Sequence, residues 1–183
     1  MQALTRIGRT DVAYTILTQT TRPSWGYMVE KGGTSIWERW DSDTQTPGMN
    51  GQSQTILAGY LGAWMYQTLG GIAYDPEHPG FKHIIMRPQP VGDLKWVKAS
   101  FESLYGLIES DWKCENGLFS WKVTVPPNST ATVYIPTHDA ASVKEGGRTI
   151  NSIPNVKYMG IERGAAVYEI GSGSYEFLSS FNL

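Results

Sequence analysis

The hydrophobic period of this chain changes once along its length, and the change separates two kinds of structure. Between Gln52 and Leu69 the residues Ile56, Leu57, Tyr60, Leu61, Trp64, Met65 and Leu69 fall at spacings of one, three and four, the apolar stripe of a helix. From about Phe81 the period becomes two, most cleanly over Phe119 to Val125 and Thr130 to Ile135. Strands are expected at 82–87, 94–102, 105–113, 118–125, 130–135, 142–144, 156–160, 165–170 and 174–178. Turn signals separate them: Glu115-Asn116-Gly117, Pro126-Pro127-Asn128, Gly146-Gly147, Arg163-Gly164 and Gly171-Ser172-Gly173. Short strands at this spacing predict an antiparallel β-sandwich. The fold class is therefore α+β by segment, with helices first and the sandwich after them.

The helical piece looks too small to be a whole domain. Residues 2–7 read as a short helix stopped by Gly8, and Thr10 or Asp11 as the cap of a second, carrying Val12, Tyr14, Ile16 and Leu17 on one side. Residues 21–33, with Pro23, Gly26, Gly32 and Gly33, read as a loop holding a short extended run from Trp25 to Val29, and 42–51 as a second loop. Gly59 and Gly62 inside the long helix suggest that another backbone comes close there. Gly70-Gly71 ends the helix, and 72–81 form a junction. One long stripe and two short helices cannot bury themselves. The expected division is 1–73 as part of a larger helical domain and 74–183 as the sandwich. The unpaired stripe on 52–69 is a candidate surface for self-association.

Charge and composition exclude several classes. A net charge of −2 and a pI near 5.9 leave no basic stripe for nucleic acid. No run approaches the ~18 apolar residues of a membrane span. The single cysteine, Cys114, sits among polar residues near a turn and can form no internal disulfide. His78, His83 and His138 are scattered without zinc spacing, so no metal and no cofactor is expected. Gly171-Ser172-Gly173-Ser174 is not followed by a helix and is no phosphate cradle. Asn128-Ser129-Thr130 has the pattern of a glycosylation acceptor in a turn.

The segment Thr34 to Asp43 concentrates chemistry. It holds Trp37 and Trp40, the carboxylates Glu38, Asp41 and Asp43, and Arg39. Sugar hydrolysis calls for acid groups in separate roles, and indole faces stack against the C–H side of a pyranose ring. Ser35-Ile36-Trp37-Glu38 also fits a capping box, in which Glu38 would only return a hydrogen bond to the Ser35 amide. Residue chemistry alone leaves both readings open.

The run Leu17 to Met28 (LTQTTRPSWGYM), followed by Gly32 to Asp41 (GGTSIWERWD), resembles the last third of the catalytic domain of bacterial α-L-rhamnosidases, glycoside hydrolase family 78. The likeness continues through Met49-Asn50, Gly62, Trp64, Tyr66 and Gly70-Gly71-Ile72, then Pro79 to Pro88. Ala99 to Gly106 and Thr124 to Pro136 are similar to that family's C-terminal β-sandwich, and the likeness fades after about residue 140. The resemblance implies the end of an (α/α)6 barrel followed by a sandwich, and inverting hydrolysis of terminal α-L-rhamnosides, so the expected partner is a rhamnose-containing glycoside. It places Glu38 as general base, Trp37 and Trp40 around the pocket, and Tyr27 and Asp41 as pocket support. The family's general acid falls outside these residues, so the chain by itself is expected to be inactive. Where many members carry Asn-His before the long helix, this sequence reads Asn50-Gly51-Gln52-Ser53-Gln54-Thr55, and Gln52 or Gln54 is the candidate partner for sugar hydroxyls. A different expectation makes the sandwich a carbohydrate-binding module, with Trp96, Trp112 and Tyr105 as stacking candidates or, alternatively, as core.

Overall fold

Four short helices precede eleven strands among the residues described by a computed structural model, 1–44, 51 and 53–182. They divide into two units, Met1–Met65 and Tyr66–Leu183.

The first unit contains α1 (Gln2–Arg6), α2 (Thr10–Thr18), α3 (Trp25–Glu30) and α4 (Thr55–Trp64). Neither Thr10 nor Asp11 caps α2. Arg9 holds the cap position without a side-chain capping bond, Thr10 is buried in the first turn, and Asp11 pairs with Arg9 at 2.9 Å. The expected extended run from Trp25 is a helix instead. Ser24 caps it, its hydroxyl accepting from the Tyr27 amide at 3.1 Å and donating to the Gln19 carbonyl. Gly26, read as a loop breaker, serves a close approach: a Cβ there would stand 2.6 Å from the Thr18 carbonyl oxygen and 2.7 Å from that of Gln19.

Helix α4 starts at Thr55 rather than Gln52 and passes into a π-helical turn over Met65–Leu69. Trp64 is fully buried, and its indole Nε1 donates to Thr5 Oγ1 at 2.9 Å, tying α4 to α1. Of the rest of the stripe, Leu69 is buried and Leu61 half-buried, while Ile56, Leu57, Tyr60 and Met65 are exposed. Ile56 is 86% and Tyr60 58% exposed. No described atom comes within 4 Å of a Cβ placed on Gly59 or Gly62, so the close neighbour expected from these glycines is not among the described residues.

The second unit is a two-sheet sandwich. One sheet has five strands in the order β1 (Ile72–Tyr74), β2 (His83–Met86), β6 (Thr130–Pro136), β10 (Ala165–Ile170) and β9 (Val156–Glu162). The other has six, β3 (Trp96–Ser103), β4 (Gly106–Glu115), β5 (Leu118–Val125), β11 (Gly173–Ser180), β7 (Lys144–Glu145) and β8 (Arg148–Thr149). Two of these, β1 and β8, lie outside the expected strands. Both are too short for a period-two pattern to show. The sandwich is also not wholly antiparallel, because β2 and β6 run parallel with His83 opposite Thr130. The chain leaves the first sheet after β2 and builds β3, β4 and β5 in the other, so it re-enters beside β2 in the same direction.

Alternation sends one side of each strand into a shared core. Ile84, Met86, Ala131, Val133, Ile135, Tyr168 and Ile170 come from the first sheet. Ile108, Trp112, Phe119, Trp121, Val123 and Phe177 come from the second. Trp112 faces Trp121 across β4 and β5, and both indoles find partners: Trp112 Nε1 donates to the Leu69 carbonyl at 2.7 Å, Trp121 Nε1 to Ser110 Oγ at 2.9 Å. Trp112 therefore presents no face to a ligand, whereas Trp96 is 59% exposed and Tyr105 37%. Cys114, expected in polar surroundings, belongs to this core, and burial pushes its thiol up. The hairpin between β4 and β5 turns at Asn116 (φ 52°) and Gly117 (φ 78°), left-handed conformations that these residue types tolerate.

Candidate functional site

Residues 33–44 form neither helix nor strand, and part of this run lies beside the segment that leads into α4. The Gln54 amide donates to the Ile36 carbonyl at 2.7 Å, and the Glu38 amide to the Gly51 carbonyl at 2.9 Å. Ser35 Oγ lies 3.3 Å from Ser53 Oγ. These contacts hold Ser35, Ile36 and Glu38 against Ser53, Gln54 and Gly51.

The Gly51 amide also donates to Glu38 Oε2 at 2.8 Å. Among the described residues no donor reaches the other oxygen, Oε1. Glu38 is exposed. The capping box fails on both counts, since no helix begins at Ser35 and the carboxylate bonds Gly51 rather than the Ser35 amide. The pattern misleads because Ser-x-x-Glu specifies spacing, while a cap needs a helical turn to close it.

The aromatic residues sort into two groups. Tyr27, Met28 and Trp37 form a buried cluster with Trp25 and Ile36 packed against it. The Tyr27 and Trp37 rings meet edge to face at 6.4 Å. Gly33 makes room for this indole: a Cβ there would fall 3.1 Å from Trp37 Nε1 and 2.8 Å from the Met28 carbonyl oxygen. Trp40 sits apart on the surface, edge-on to Trp25 at 5.0 Å. Trp37 is thus a support beneath the motif, and Trp40 is the indole available to a ligand.

Tyr27 links α3 to the acidic turn. Its hydroxyl donates to Asp43 Oδ2 at 2.6 Å, and this bond holds the phenol's pKa up, with burial adding to it and the Arg22 guanidinium opposing. The guanidinium lies 5.2 Å from the ring centroid. Asp41 faces Arg39, with Nε 3.3 Å from Oδ1, and its carbonyl accepts from the Thr44 amide at 3.0 Å. Gln52, together with Met49 and Asn50, lies outside the described residues.

The structure therefore brings Tyr27 and Trp37 together, sets Glu38 on Gly51, and leaves Trp40 with Trp25. Sequence reasoning missed Gly51, which has no side chain for a motif to record, and named Asp43 among the segment's carboxylates without its partner Tyr27, which lies sixteen positions away, beyond any local period. Among the described residues no group of three or more His, Cys, Asp or Glu side chains could hold a metal ion. What the arrangement offers is one exposed carboxylate with one oxygen fixed by a backbone amide, next to a half-exposed indole.

Residues 1–69 match the family model described as the bacterial alpha-L-rhamnosidase 6 hairpin glycosidase domain, and residues 71–149 the bacterial alpha-L-rhamnosidase C-terminal domain. An alpha-L-rhamnosidase of Streptomyces avermitilis is 40% identical over 182 residues, covering 97% of this chain and 17% of that protein. One from Formosa agariphila is 33% identical and covers all of this chain and 20% of its own length. The crystal structure of the Streptomyces avermitilis enzyme complexed with L-rhamnose superposes with a TM-score of 0.85 at 39% identity, over 98% of this chain and 17% of that one. The structure of alpha-L-rhamnosidase from Dictyoglumus thermophilum superposes at 0.84 with 38% identity, over 98% and 20%. The chain spans a fifth or less of the length of these relatives and corresponds to their C-terminal part.

Proposed function

This chain belongs to the bacterial α-L-rhamnosidase family, and from that membership we propose that it supplies the base side of an inverting glycosidase site, with Glu38 as general base. Helices α1 to α4 then form part of a helical barrel, and the sandwich that starts with β1 follows it in the chain. The substrate is a glycoside ending in α-L-rhamnose.

The observation that carries this reading is the asymmetric hold on Glu38. A general base must keep one oxygen aimed at a water while the rest of the group stays still. The Gly51 amide holds Oε2, and in this reading Oε1 is the oxygen that takes the water. In an inverting site the two carboxyl groups stand roughly 6.5–9.5 Å apart, leaving space for a water on the face opposite the leaving group. Trp40 offers the apolar surface for the ring, while Trp37, Tyr27 and Asp43 brace the segment from below. Asp41 shapes the turn, and Gln52 is the candidate for sugar hydroxyls.

The general acid is assigned to barrel residues outside these 183. A polypeptide limited to them lacks acid catalysis, typically worth about 10²–10⁴-fold in rate, and the remaining pocket wall. The test is a chimera in which these residues replace the corresponding C-terminal part of the Streptomyces avermitilis relative. The chimera is expected to release aryl aglycone from an aryl α-L-rhamnoside, and the 183 residues alone are not. A chimera that folds and lacks turnover contradicts the reading.

A further inference from the structure

The sandwich carries a cavity of about 460 Å³, lined by polar and charged residues, that has no part in the Glu38 reading. Its floor is the outer face of the five-stranded sheet, where His83 on β2, Thr130 and Thr132 on β6, and Glu169 on β10 lie side by side. Register sets His83 opposite Thr130, and Thr132 opposite Glu169, while the alternate residues Ile84, Ala131 and Ile170 enter the core. Its rim is formed by Asp75, His78, Lys82 and Asn128.

The floor is built rather than incidental. The His83 ring bridges two hydroxyls on one strand, with Nδ1 2.6 Å from Thr130 Oγ1 and Nε2 2.9 Å from Thr132 Oγ1. His78 Nδ1 lies 2.8 Å from Asp75 Oδ2, and its ring meets that of His83 edge-on at 5.8 Å. Lys82 Nζ donates to the Asn128 carbonyl and lies 5.1 Å from the centre of the Tyr105 ring. A bridged histidine holds both threonine side chains in place, and each hydroxyl keeps bonding capacity for a ligand.

Charge selects the ligand class. The Asp75 carboxylate and that of Glu169, which lies 4.0 Å from Lys157 Nζ, oppose a bound anion, and Lys82 opposes a cation. Both nitrogens of His83 and one of His78 are engaged, so the imidazoles do not converge on a metal. What remains is a neutral molecule with many hydroxyls, able to donate to carboxylates and accept from ammonium and hydroxyl groups. The volume lies in the range of small-ligand sites, about 300–1,000 Å³. We propose that this cavity is a second carbohydrate site, taking a neutral sugar ring on the sandwich independently of Glu38.

The test is amide-resolved NMR titration of the 183-residue chain with L-rhamnose, D-glucose, D-galactose and, separately, inorganic phosphate. At least one sugar is expected to shift the amides of His78, His83, Thr130, Thr132 and Glu169 saturably, with no such shift from phosphate. Glu169→Gln removes one charged acceptor from a side chain that is 45% exposed, so the fold should survive and affinity should fall about tenfold. Thr132→Val is the second variant and should weaken the same shifts, whereas Glu38→Gln should leave them unchanged. The proposal is overturned if no sugar moves these amides, if phosphate alone does, or if both cavity variants bind as the parent chain does. Sugar shifts confined to residues 36–54 would overturn it while leaving the Glu38 reading in place.

Discussion

Glu38 and Gly51 hold each other twice: the glycine carbonyl accepts from the glutamate amide at 2.9 Å, and the glycine amide donates to the glutamate carboxylate at 2.8 Å. The first bond fixes the backbone and the second fixes the side chain, so the carboxylate has one oxygen committed to structure. A glutamine at position 38 can still accept from the Gly51 amide through its carbonyl oxygen. That replacement separates the chemistry of the carboxylate from its part in the fold, which an alanine cannot do.

The seat of α3 against α2 depends on Gly26. An alanine there would place its methyl carbon within 2.6–2.7 Å of two backbone oxygens, which cannot move as a side chain can. Gly26→Ala is expected to destabilise the helical unit by about 1–3 kcal/mol, with Tyr27 and Asp43 separating as α3 shifts. Thermal melting monitored by circular dichroism checks the first effect, and a normal melting temperature would contradict it.

Trp112 anchors the sandwich through polarity as well as volume. Trp112→Phe retains an aromatic ring but leaves the Leu69 carbonyl without its indole donor. The expected loss is about 1–3 kcal/mol, the cost of a buried unpaired acceptor. Urea unfolding measures it, and an unchanged midpoint would show that the carbonyl finds another donor.

Tyr168 gives the fold an alkaline limit. Burial, with a smaller contribution from Tyr158, pushes its phenol up to about 12 from an ordinary value near 10. Below pH 10 both folded and unfolded chains keep the proton, and the stability is fully present. Between pH 10 and about 12 only the unfolded chain releases it, so stability falls with pH. The loss is on the order of 2–3 kcal/mol, at about 1.4 kcal/mol per unit. Tyr168→Phe should lack this component, so its stability should fall less steeply than the parent's between pH 10 and about 12. Parallel declines would contradict it.

The open stripe on α4 predicts association of the isolated polypeptide. Ile56, Leu57 and Tyr60 are all more than 40% exposed, a surface that in the proposed enzyme faces other barrel helices. Light scattering of the 183-residue chain is expected to show concentration-dependent oligomers, which Tyr60→Glu should weaken. A monodisperse monomer would contradict this.

Periodicity made the two halves legible, because a helix stripe and a strand alternation are each set by nearest neighbours in space that are also near in sequence. It failed where a longer-range contact decides. Gly26 reads as a breaker until the carbonyls of Thr18 and Gln19 are seen beside it. The β2–β6 pair is parallel because three strands intervene in the other sheet, which no local window contains. The Thr34 to Asp43 segment stood out by composition, yet whether Glu38 capped a helix depended on Gly51, thirteen residues away. Trp112 and Trp96 carry the same side chain on neighbouring strands, and only the facing sheet separates core from surface.

The base assignment is tested most directly by Glu38→Gln in the chimera carrying these residues within the Streptomyces avermitilis relative, with kcat and melting temperature measured together. A fall in kcat of about 10²–10⁴-fold is expected with the melting temperature preserved, because the Gly51 bond survives the replacement. A kcat near that of the unmodified chimera would contradict it and remove Glu38 from the role of base.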